Sequence, residues 1–113
     1  MGRKAAFGLG LNDRLQLGGA MAKYLVRVEL HSATWDDYER LHAEMANRGF
    51  SREVTSDNGG TFQLPTAEYI TETSVGLEGV RALAAEAART TGRRFGVIVA
   101  EYSRSAWVGL AHV

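Results

Sequence analysis

The strongest constraint in this sequence is the order in which two hydrophobic periodicities alternate along it. Residues 24–30 read Y-L-V-R-V-E-L, with Tyr24, Val26, Val28 and Leu30 on one face and Leu25, Arg27 and Glu29 on the other. Period two marks a strand with one buried face. After His31-Ser32 the period changes. Trp35, Tyr38, Leu41 and Met45 recur at three- and four-residue steps, which predicts a helix over residues 35–48 with that stripe, Trp35 and Tyr38 included, in the core. Thr34 supplies an N-cap, and Asp36 and Asp37 fall in the first turn, where the helix dipole favours anions. Gly49-Phe50 follow as a helix stop.

The second half repeats the alternation. Residues 51–55 form a short strand candidate, and Asp57-Asn58-Gly59-Gly60 is a strong turn because Asn and Gly tolerate positive φ. Residues 61–64 and 67–73 read as one long strand interrupted at Pro65, which cannot donate to a ladder. A second helix is predicted over residues 77–90, with Leu77, Val80, Leu83, Ala84 and Ala87 on one face. The run Val97-Ile98-Val99-Ala100 predicts a strand over residues 95–102 that is central and covered on both sides. Residues 106–110 add a short strand candidate in the tail. The order β-α-β-β-α-β predicts an α+β, ferredoxin-like sandwich: an antiparallel sheet with two helices on one face, plus a short C-terminal strand.

With 113 residues there is room for one domain, placed at residues 21–113. Residues 1–20 are Gly-rich and carry Arg3, Lys4 and Arg14 against Asp13, a net of +2; they are expected to form a flexible extension, with Met21 as an alternative start. Asn12, Asp13 and Arg14 interrupt any apolar run there, which argues against a signal peptide, and no stretch reaches the length of a membrane span. A cytoplasmic location is expected. The absence of cysteine excludes disulfides, thiolate zinc sites and cysteine nucleophiles. Residues 21–113 hold ten basic and twelve acidic side chains, a net of −2, which is not the broad footprint of a duplex DNA binder.

No phosphate-binding glycine loop or nucleophile elbow is present. His31, His42 and His112 lack the paired spacing of a zinc site, so no metal and no cofactor is expected. Glu29 and Glu68 are read as solvent-facing strand residues. The remaining chemistry is imidazole and guanidinium. His42 lies beside the apolar stripe with Arg40 two residues before it, and His31 ends the first strand; these three are the catalytic candidates. Arg27, on the exposed face of the first strand, is a candidate for binding phosphate or a partner, and with Arg93 and Arg94 makes up the RNA-binding candidates. Metal-free RNA cleavage needs no more than such groups, because the substrate supplies its own 2′-hydroxyl as nucleophile. The tail can pair within its own sheet or cross to a partner's open edge; crossing is expected, with Trp107, Val108 and Leu110 anchoring a homodimer.

Three stretches carry a family resemblance: K-Y-L-V-R-V-E-L-H (23–31), T-W-D-D-Y-E-R-L-H-A-E-M-A-N-R-G-F (34–50) and T-F-Q-L-P-T-A-E-Y (61–69). The helix end L-H-x-x-M-x-x-x-G-F and the strand L-P-T-A-E-Y are the most specific pieces, and over residues 21–102 the chain resembles the GhoS family of small bacterial antitoxins of the type V toxin–antitoxin class. The resemblance implies a ferredoxin-like fold, similar to that of the small endoribonuclease-like subunit of CRISPR adaptation complexes. It implies cleavage of the messenger RNA of a small membrane-lytic toxin. It also implicates a basic residue on the first helix; the matching zone in this chain is Arg40 to His42, with histidine near the place where the family has arginine. A non-enzymatic protein-binding module is the alternative, either toxin-neutralising or an inhibitor of a phage-defence system of the anti-CRISPR type. It would act through a sheet edge or a dimer surface, and the near-neutral charge favours it.

Overall fold

A computed structural model describes residues 20–113. The flexible extension expected at residues 1–20 therefore lies, but for Ala20, outside the described residues. The elements run β1 (Ala22–Leu30), α1 (Trp35–Asn47), β2 (Glu53–Thr55), β3 (Thr61–Gln63), β4 (Glu68–Thr73), α2 (Gly76–Arg89) and β5 (Phe95–Tyr102). The main sheet is antiparallel in the order β4-β1-β5. A Ser51–Ile70 bridge, with both backbone bonds at 2.8 Å, adds the chain before β2 to the free side of β4. That gives the strand order of a split β-α-β sandwich. β2 and β3 pair separately as a small hairpin.

The period-two face of β1 is the floor of the core. Tyr24, Val26, Val28 and Leu30 are at most 5% exposed, and Leu41, Met45, Tyr69, Val80, Ala84, Ala87 and Ala88 cover them. Both ends of α1 are closed by local chemistry. Thr34 and Asp37 form a reciprocal capping box. Gly49, at φ +88°, lets the Phe50 N–H return to the Met45 carbonyl at 3.0 Å.

Four expectations need correction. Among the described residues β5 is an edge strand bonded only to β1, and Ile98 is 66% exposed. Its Phe95, Val97 and Val99 lean toward the helices while Gly96, Ile98 and Ala100 face the open side, so an unbroken apolar run did not require two covered faces. The central strand is β1, despite Arg27 and Glu29, because the described residues cover the sheet on one face only. Trp35 is 64% exposed and Leu77 46%. Each sits in a first turn, and at 3.6 residues per turn Trp35 lies about 100° from the Leu41–Met45 direction, off the buried stripe. Residues 61–73 are not one strand broken at Pro65, because β3 and β4 belong to different sheets. The tail pairing comes later than residues 106–110, where Gly109 at φ +79° turns the chain. Residues 111–113 run along β3 instead, through Gln63 N–H to the Ala111 carbonyl (2.8 Å) and Val113 N–H to the Thr61 carbonyl (2.9 Å).

Candidate functional site

The α1 stripe that buries Leu41 and Met45 leaves His42 half-buried at its border. There it meets β4. Tyr69, on the helix-facing side of β4, is fully buried, and its hydroxyl lies 2.6 Å from His42 Nδ1. Tyr38, one turn before His42, packs its ring 6.5 Å from the imidazole and accepts the Leu30 N–H at 3.2 Å. The Ser51–Ile70 bridge continues to place Arg52 across from Tyr69. The Arg52 carbonyl is held by Leu64 N–H (2.7 Å) and Gln63 Nε2 (3.1 Å). Two buried side-chain nitrogens, His42 Nε2 and Arg52 Nε, have no hydrogen-bond partner among the described residues. An unsatisfied buried polar atom is uncommon in a folded protein, and these two flank the same tyrosine.

Burial, reinforced by the Arg52 charge and opposed by Glu39, pushes the His42 imidazole below its ordinary value of 6.5. Burial pushes the Tyr69 hydroxyl far up, so it stays a neutral O–H group. When Tyr69 donates to Nδ1, the ring carries its proton on Nε2. When Nδ1 donates to Tyr69, Nε2 is the free base. Either way Nε2 is the edge of the ring left without a hydrogen-bond partner among the described residues, within the field of Arg52.

The other candidates lie elsewhere. Arg40, about 200° around α1 from His42, donates from Nε to the Thr90 carbonyl at 3.1 Å, past the end of α2. His31 is exposed, and its N–H donates to the Arg94 carbonyl at 2.8 Å, which sets it across from Arg94. Arg93 Nε bonds Asp37 Oδ2 at 2.7 Å. The Thr34 N–H, aided by Arg93, holds the Asp37 carboxyl below its ordinary range. His31, Arg40, Arg93 and Arg94 thus gather where α1 begins and α2 passes into β5, with His42 on the other side of α1. Arg27 stands on the open sheet face, 3.1 Å from Glu68. Glu29 is opposite Gly96, so the two strand carboxylates do not form a pair across β1 and β4. Among the described residues no three His, Asp or Glu side chains converge as a metal cage would require. Trp107 packs on Phe62 at 5.9 Å beside the hairpin; Leu110 is half-buried and Val108 94% exposed. Sequence reasoning missed Tyr69 and Arg52. The one signal for Tyr69 was its place in L-P-T-A-E-Y, and Arg52 offered none.

The family model described as Endoribonuclease GhoS matches residues 17–104. The chain belongs to the GhoS family of endoribonucleases. The match takes in every element from β1 to β5 and the whole His42–Tyr69–Arg52 cluster, and stops short of Trp107. Membership gives a GhoS-like ribonuclease function and suggests RNA as substrate. Comparison with curated proteins gives no match. Among the described residues no helix is long and apolar enough to cross a membrane.

Proposed function

We propose that this chain is an antitoxin that cleaves single-stranded messenger RNA without metal or cofactor, with His42 at the reacting atoms. The observation that carries the reading is the His42–Tyr69 contact at 2.6 Å, which leaves Nε2 unpartnered next to the side of the site that holds Arg52. A neutral imidazole accepts the proton of the ribose 2′-hydroxyl as that oxygen attacks the adjacent phosphorus. The bond from phosphorus to the 5′-oxygen breaks, and that oxygen leaves with a proton returned by the imidazolium. Arg52 balances the charge on the phosphoryl oxygens, and Tyr69 fixes the ring. RNA binding has to uncover Nε2, which is buried in the free protein. His31 and Arg40, remote from His42, act in binding.

The products test the chemistry. This route leaves a 2′,3′-cyclic phosphate on one fragment and a free 5′-hydroxyl on the other. A 5′-phosphate and a 3′-hydroxyl would instead mean attack by water and would overturn the mechanism.

A homodimer belongs to the same proposal. The outer edge of β5 is unpaired in the described sheet and carries the exposed Ile98, and an open edge is a template for pairing. The same edge favours a second reading, a protein-binding module acting by strand addition. Light scattering at micromolar concentration distinguishes dimer from monomer. Survival of RNA cleavage after charge is placed on that edge, as in Ile98→Lys, separates the edge from catalysis.

A further inference from the structure

Trp35 is a large aromatic ring left 64% exposed in the first turn of α1. It shares a helix face with Tyr38 and His42 at three- and four-residue steps, and by helical rise it stands about 10 Å along the axis from His42. On the opposite side of α1, where α2 passes into β5, stand four guanidiniums: Arg40, Arg89, Arg93 and Arg94. Arg89 rests over the Phe95 ring at 5.9 Å, and Arg40 bonds a backbone carbonyl. Only Arg93 has a carboxylate partner among the described residues. Residues 21–113 are acidic in sum, so this is a local concentration of positive charge, next to an exposed imidazole, His31.

We propose that single-stranded RNA runs over the N-terminal end of α1 to reach His42, with a base stacked on Trp35 and phosphates held by Arg89 and Arg94. A strand crossing the end of α1 would meet unpaired cations on one side and an aromatic platform on the other, the two groups that single strands take, because every base has a π-face and every linkage a negative charge. Asp37 is neutralised by Arg93, while exposed Asp36 lies beside the path and repels it. The proposal rests on the ribonuclease reading and names where its substrate lies.

The test uses Trp107→Phe, which leaves Trp35 as the single tryptophan, and a 2′-O-methyl oligoribonucleotide, which lacks the attacking hydroxyl. Trp35 emission is expected to quench in a saturable way on binding. Trp35→Ala should weaken affinity by about tenfold or more. Arg89→Gln and Arg94→Gln should each reduce the slope of log affinity against log salt by about 0.7. Asp36→Asn should tighten binding, and Arg81→Gln, paired to Glu78, should change nothing. Unchanged emission and affinity with an RNA that the protein does cleave would refute this path and leave the ribonuclease reading standing. RNA neither bound nor cleaved would overturn both, and an equal response to polyglutamate would mark the surface as a protein-binding one.

Discussion

His42 and Tyr69 meet at 2.6 Å across 27 residues of sequence, so the site depends on a contact that only the folded chain makes. Tyr69→Phe removes the hydroxyl and leaves a second imidazole nitrogen unpaired. It should cost about 1–3 kcal/mol in chemical denaturation, the penalty for orphaning a buried polar group. A loss within about 0.5 kcal/mol would show that the contact is not structural. The imidazole also sets a pH dependence. Its value in the folded protein lies below the ordinary 6.5, so the unfolded chain binds the proton more readily. Stability is then full above about pH 6.5 and falls as the pH drops through that value toward the lower folded one. Melting temperature should therefore fall between pH 7.5 and pH 5.5, and His42→Gln should flatten that decline. A decline of equal size in the variant would assign it to other groups. His42 was legible as an acid–base candidate because it borders the stripe. Its partners were not, since no spacing along the chain encodes a pairing made by β4 and the Ser51–Ile70 bridge.

At the level of elements, α1 separates burial from mere pattern. Leu41 is fully buried, and Leu41→Ala should destabilise by about 2–5 kcal/mol, as truncation of a core leucine does. Trp35→Ala, at an exposed position of the same helix, should stay within about 1 kcal/mol. Equal losses at the two positions would mean that α1 turns a different face to the core. The strands and helices were legible because β1 alternates cleanly and because Thr34 and Gly49 punctuate α1. Strand placement was harder to read. A run of four apolar residues in β5 and a charged alternation in β1 suggest the reverse of the real order, because periodicity reports which faces are covered and not how many neighbours a strand has.

At the scale of the whole molecule, one side of α1 holds a buried histidine–tyrosine pair and the other a group of arginines, inside a fold that many unrelated functions share. The family match carries the ribonuclease assignment, and the proposed centre rests on the His42–Tyr69 contact. Both come together in cleavage of single-stranded RNA by purified protein in excess EDTA, with wild type, His42→Ala and Arg81→Gln side by side. Wild type and Arg81→Gln, which changes an exposed residue paired to Glu78, should cleave at the rate seen without chelator, and His42→Ala should lose at least about a hundredfold, the usual share of a general base. Full activity in His42→Ala, or loss of wild-type activity on chelation, would rule out a metal-free centre at His42.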